Sequence, residues 1–395
     1  MNFLHIPKGI RLISWATAVR FAGWGFIEVF VPVFLLSFAG NFAETGLLKS
    51  VYDVTFLLSL PIISRLADRV SSKKIILSGL VLYPAIALCY YAAGVYGAIG
   101  FVIFARLLNG VSYALDSVGK KTYMRRHAHH HVGMMFGYFD TLSNFWWLAA
   151  GVAGLFLMKA FALHELFLLI IPTTLVAIAL IARIPKEPGT KQGISNNMFK
   201  EVILDYRDTI SFIRAWSIEQ KYTAFLYAFL GVVFVSISFF VPLASFAESH
   251  DYATVFLLTA FAVLPFLLGV PVGLLADRAN KRTLAIALVV AFLFLALIPF
   301  VSVLWVKLAS VFIVGISIYY STLVLERIAT EHERRSRMGS LSGVFLSVYQ
   351  FAQVVSPLVI GLLVDAYSLA WALVAVAVIG GSLLVPLLRT KFFQF

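Results

Sequence analysis

Twelve apolar runs dominate the 395-residue chain, near 12–38, 44–65, 74–94, 98–124, 132–158, 162–183, 222–247, 252–276, 283–301, 304–327, 338–364 and 369–389. Crossing about 30 Å of hydrocarbon takes roughly 20 helical residues, so each run is long enough to span a bilayer. With 61% hydrophobic and only 13% charged residues, the chain has too little polar surface to coat a water-exposed globule. An all-α membrane protein of twelve transmembrane helices is expected. Only the link near 184–220 is long, which divides the chain into a six-helix bundle at 1–183, a cytoplasmic linker at 184–220 and a second six-helix bundle at 221–395. Little room is left for a soluble domain, so function must be carried within or between the spans. The first run continues past signal-peptide length without a small-residue cleavage site. Cys89 stands alone, which excludes an internal disulfide.

The chain carries 31 Lys and Arg against 19 Asp and Glu, a net charge of +12. With the amino terminus inside, every basic residue except Arg20, Lys49, Arg106, Lys159 and Lys307 falls at a terminus or on a cytoplasmic link. Such a bias places both termini in the cytoplasm and makes the excess an orientation signal, not a nucleic-acid footprint. Within the linker, Phe199, Val202, Ile203, Tyr206, Ile210, Ile213 and Trp216 recur at helical spacing among charged residues. They predict an amphipathic helix on the membrane surface, tethering the two halves.

The halves repeat. Leu66-Ala67-Asp68-Arg69 follows span two and Leu275-Ala276-Asp277-Arg278 follows span eight, their aspartates 209 residues apart. Gly133, Gly137 and Phe139 recur as Gly339, Gly343 and Phe345. A six-span unit duplicated in parallel explains both pairs. These segments resemble the cytoplasmic loop motif of the major facilitator superfamily, Gly-x-Leu-Ala-Asp-Arg-x-Gly-Arg-Arg, with Ser64, Ser71 and Asn280 at positions where glycine is usual. Arg106 to Gly110 is similar to that family's Arg-x-x-x-Gly motif, whose arginine is associated with proton coupling. The antiporter Gly-Pro pair is absent from span five, while Ser356-Pro357 to Gly361 in span eleven carries a related pattern. The resemblance covers the whole chain. It implies two bundles that rock about a midplane site, and a small-molecule substrate moved with protons. Physically, Asp68 with Arg69 and Asp277 with Arg278 suit a conformational latch, since a carboxylate at the end of a span favours a neighbouring helix N-terminus.

An ionisable group at mid-bilayer costs at least about 2.5–3.5 kcal/mol, so each is a functional candidate. At 1.5 Å per residue, Glu28, Asp53 and Arg106 come to about 12–15 Å from the outer face. Arg20, Asp116 and Asp140 come to about 14 Å from the cytoplasmic face. Each layer holds one arginine and two carboxylates. The arginine neutralises one, leaving the other able to take up and release a proton. Glu28 is the first choice as carrier, because span one lines the central cavity in the resembled family; Asp53 and Asp140 follow. Static ion pairs that pack helices are the alternative.

Substrate contacts are then expected from Trp24, Tyr113, Asn144 and Trp147 in the first half, and from Tyr319, Tyr320, Tyr349, Gln350 and Gln353 in the second. Such groups suit sugars, aromatic acids and drug-like amphiphiles alike. The cluster His127, His129, His130 and His131 has no carboxylate or cysteine near it in sequence, so a basic turn is preferred over a metal site. No metal or cofactor is expected. The absence of HExxH, GxSxG and P-loop patterns argues against an enzyme. The expected protein is a monomeric, multi-pass transporter of a bacterial inner membrane, working on a small solute and protons. Export of amphiphilic compounds is slightly favoured over nutrient uptake. An uncoupled channel or lipid scramblase of the same fold is the rival class.

Overall fold

The computed structural model describes residues 6–127, 132–185, 214, 216–331 and 338–389. Helix covers every one of the apolar runs: α1 Lys8–Glu28, α2 Val31–Leu36, α3 Phe42–Arg69, α4 Ser72–Tyr96, α5 Ile99–His127, α6 Val132–Leu157, α7 Ile170–Ala182, α8 Ile218–Val235, α9 Val241–Ser249, α10 Tyr252–Val263, α11 Gly269–Asp277, α12 Lys281–Leu297, α13 Leu304–Glu331, α14 Met338–Ala366, α15 Leu369–Ser382 and α16 Leu384–Arg389. Among the described residues, ten helical stretches are long and apolar enough to cross a membrane. Runs 12–38 and 132–158 fall outside that set. The predicted linker helix at 199–216 lies outside the described residues, apart from Arg214 and Trp216, and the histidine cluster does so apart from the backbone of His127.

Span one differs from the single helix expected. Pro32 has no N–H to give to the carbonyl of Glu28, so α1 ends at Glu28 and the chain restarts as α2 with Pro32 in its first turn. The most interesting carboxylate of the run therefore sits at a helix end. Span seven is interrupted similarly: ahead of Pro242, residues Ser236–Phe240 widen into a π-helical turn between α8 and α9. Such turns gather at functional sites. Capping residues start other helices. Ser217 and Gln220 form a reciprocal capping box on α8. Asp251 accepts from the Ala253 and Thr254 N–H groups at 3.0 and 2.9 Å, bonds that with the Thr254 hydroxyl hold its carboxyl below the usual value.

The helices gather into two compact units, residues 1–38 with 51–206 and residues 39–50 with 207–395. In the first, small residues let helices approach backbone to backbone, as membrane helix packing favours. A Cβ at Gly25 would overlap the Trp147 carbonyl, and one at Gly154 would overlap the Phe26 carbonyl, so α1 and α6 touch along both residues. On the other side of α1, Trp24, Tyr83, Tyr90, Phe34 and Phe167 form an aromatic cluster, with Tyr90 stacked on Phe167 at 4.4 Å. The second unit is held by aliphatic and aromatic side chains of α8, α12, α13 and α15, including Leu230, Leu288, Val311 and Leu373, with Trp216 also in this core.

The α1–α6 contact predicts a sharp packing effect. Gly154→Val is expected to destabilise the protein by about 1–3 kcal/mol or more, since the opposing atom is backbone and cannot rotate away. Gly381→Val, where a Cβ meets nothing within 4 Å, is the control. Thermal unfolding in detergent separates them; equal melting temperatures would contradict the contact.

Candidate functional site

Two of the charges expected at one depth, on spans one and four, meet within the first unit. Arg20 on α1 and Asp116 on α5 pair at 3.2 Å, with side chains 5% and 1% exposed. Lys120, one turn along α5, reaches the same Asp116 oxygen at 2.6 Å and is 3% exposed. Lys120, counted with the basic residues of a cytoplasmic link, is thus also a third member of a buried cluster. Tyr83 on α4 completes it: its hydroxyl accepts from Arg20 Nη1 at 2.9 Å. The guanidinium also lies 4.6 Å from the Phe21 ring, 5.0 Å from Tyr83 and 6.0 Å from Tyr113. Flat, weakly hydrated and flanked by rings, arginine is the cation that tolerates such a place.

Asp140, assigned by depth to the same layer, is exposed on α6, and the bond recorded there is from Asn144 Nδ2 to its backbone carbonyl at 2.9 Å. Depth along a helix sets height but not azimuth, which explains why equal depth did not bring it into the cluster.

In the other layer, Glu28 accepts a hydrogen bond from Trp147 Nε1 at 2.7 Å. A predicted proton carrier and a predicted substrate contact are therefore bonded to each other. Glu28 is exposed although it sits deep within a span. Asp53 on α3 and Arg106 on α5 are buried, and the Arg106 guanidinium lies 5.0 Å from the Tyr52 ring. Trp24 is buried and packed edge-on to Tyr83 and Tyr90, at 6.0 and 6.4 Å. Tyr113 is half-buried against Tyr52 and Phe56.

In the second unit the expected aromatic contacts separate. Tyr349 packs on Tyr227 at 5.4 Å, and the Tyr227 hydroxyl donates to Glu326 Oε1 at 2.5 Å. Tyr319 lies 4.7 Å from Phe266, while the Tyr320 hydroxyl bonds Thr283 Oγ1 at 2.9 Å beside the start of α12. Gln350 and Gln353 are half-buried on α14. Tyr227 and Glu326 escaped the sequence reading because Glu326 precedes Arg327 at the end of span ten and passes for a loop charge.

At the loop motifs, Asp277 and Arg278 are exposed and Arg69 is half-buried; the side chain of Asp68 lies outside the described set. What the structure adds is an arginine in each unit that holds the motif backbone. Arg126 on α5 donates to the Ala67 carbonyl at 2.9 Å and to Ser72 Oγ at 3.4 Å. Arg327 on α13 donates to the carbonyls of Ala276, at 2.8 Å, and Asp277. Both reach carbonyls in the last turn of the helix that ends at the motif, where acceptors lack the full set of helical donors.

The Major Facilitator Superfamily family model matches residues 13–320 and 253–393. The chain belongs to the major facilitator superfamily. It is accordingly a multi-pass membrane transporter and not an enzyme. Its fold is similar to that of the crystal structure of the nucleoside transporter NupG, at 14% identity over 100% of both chains with a TM-score of 0.74. It is also similar to the human organic anion transporter MFSD10, at 12% identity over 98% of this chain and 99% of that one, with a TM-score of 0.63. A search by sequence among curated proteins returns no match. The Arg126 and Arg327 clamps repeat one arrangement at the two loop motifs.

Proposed function

We propose that the protein is a proton-coupled secondary transporter of a small organic solute, with twelve spans, both termini in the cytoplasm, and two bundles working by alternating access. The observation that carries this reading is the exposed carboxylate of Glu28 at a helix break inside a span, hydrogen-bonded by Trp147. An ionisable group at that depth needs a purpose or a compensating partner. Arg106, at a similar depth in the same unit, is the proposed partner that tunes it, and Arg20 and Lys120 share the Asp116 carboxylate in a separate buried cluster. As solute contacts we propose Trp147 and Asn144 for the first unit and, separately, Tyr349, Gln350 and Gln353 for the second.

Export of amphiphilic, ring-bearing compounds fits the aromatic, weakly charged second unit best. Proton-linked uptake of a nutrient is the second reading. Reconstituted vesicles with an imposed pH gradient test both, using labelled nucleosides, sugars, organic anions and lipophilic cations. One pH unit corresponds to about a tenfold concentration ratio per proton, so a true substrate should accumulate about tenfold and lose that on adding a protonophore. Flux insensitive to the protonophore for every compound would overturn coupling and favour the channel or scramblase class.

A further inference from the structure

The start of α3 is held by a residue far away in the chain. Asp365, in the last turn of α14, accepts from the Phe42 N–H through Oδ1 at 3.0 Å and from the Ala43 N–H through Oδ2 at 2.7 Å. Within α3 itself, Asn41 Oδ1 accepts from the Glu44 N–H at 2.8 Å and the Asn41 carbonyl from the Thr45 N–H at 3.1 Å. Local residues thus satisfy part of the first turn, and two of its N–H groups depend on Asp365. A carboxylate there is favoured by both the charged hydrogen bonds and the helix dipole.

The contact continues along both helices through small groups. Ser50 Oγ donates to the Val354 carbonyl at 2.7 Å. A Cβ at Gly46 would overlap the Pro357 carbonyl, and one at Gly361 would lie 2.6 Å from the Phe42 carbonyl. The Pro357 to Gly361 pattern of span eleven, unassigned by the transport site, is therefore the strip on which α3 rests. Residues 39–50 pack with the second unit, while α3 from residue 51 onward packs with the first. A transport cycle that displaces one unit must release this segment from α14 or bend α3 near residue 50.

We propose that Asp365 is a gating residue, whose carboxylate clasps the start of α3 in one state of the transport cycle and lets it go in the other. This rests on the transporter reading. It places carboxylate-to-helix chemistry at the opposite end of α3 from the loop motif, where the sequence assigned it to Asp68. Two features suit a clasp over a fixed support: Asp365 is exposed, so water can replace its bonds, and the strip it closes includes the small residues Gly46, Ser50 and Gly361.

Hydrogen–deuterium exchange of the full-length protein in nanodiscs reads the donor amides themselves and needs no substrate. In the wild type, the segment 42–45 should show two populations, open and closed, while Lys281–Leu297 shows one protected population. Asp365→Asn keeps the volume of an exposed side chain and should speed exchange of 42–45 about tenfold or more, as expected for losing charged hydrogen bonds, without altering Lys281–Leu297. Asp365→Glu should restore part of the protection. A single protected population in the wild type, or unchanged exchange in Asp365→Asn, would overturn the clasp. Because the readout is substrate-free, its failure is distinct from a failure of proton coupling.

Discussion

Glu28→Gln is expected to abolish gradient-driven accumulation, a loss of about tenfold per imposed pH unit, while leaving counterflow exchange of the same solute near the wild-type rate. The substitution is conservative for structure. Glutamine keeps the size of the side chain and an oxygen that can accept from Trp147 Nε1, which lies 2.7 Å from the Glu28 carboxylate. What it removes is the ability to bind and release a proton at an exposed position within the span. Exchange needs the solute site and the conformational change but no net proton movement, so the two assays divide coupling from transport. Wild-type accumulation by Glu28→Gln would move the proton site elsewhere, with Asp53 next. Loss of exchange as well would make Glu28 a solute contact.

Asp116→Ala is expected to be the most destabilising of the charge deletions. It leaves Arg20 and Lys120, each nearly inaccessible, facing one another without the shared carboxylate that lies 3.2 and 2.6 Å from them. Breaking a buried ion cluster by removing one partner costs about 3–5 kcal/mol, chiefly because the remaining charge is uncompensated. Adding Lys120→Met to Asp116→Ala should recover part of the loss, because it removes one of the two orphaned cations; neighbours in one network are not additive. Thermal unfolding in the same detergent gives the comparison. A single mutant as stable as the wild type, or a double mutant no better than the single, would show that the three charges do not act as a unit.

The parts legible in the sequence follow from the bilayer, which makes local signals strong. Among the described residues, apolar length located the helical regions, and the cost of intramembrane charge pointed to Arg20, Asp116 and Glu28, which the fold places in bonded contacts. Azimuth was less legible. Asp140 and Asp116 share a depth, yet one is exposed and the other is 1% accessible, because a few residues' offset along a helix turns a side chain away. Lys120 was counted with the basic residues of a cytoplasmic link, although its spacing also sets it one turn from Asp116 on the same helix face. Trp24 shares a helix face with Arg20 and Glu28, and its ring packs against Tyr83 and Tyr90 from α4, a contact that spacing along one span does not show. Asp365 could not be found locally at all, since its partners Phe42 and Ala43 lie more than 300 residues away. The break after Glu28 was marked by Pro32, but hydropathy averages across a single proline.

Proton movement itself tests the central claim most directly. Vesicles containing the wild-type protein and a trapped pH-sensitive dye should show a change of internal pH on adding a transported solute, and no change with Glu28→Gln. Solute flux through the wild-type protein at unchanged internal pH would contradict proton coupling.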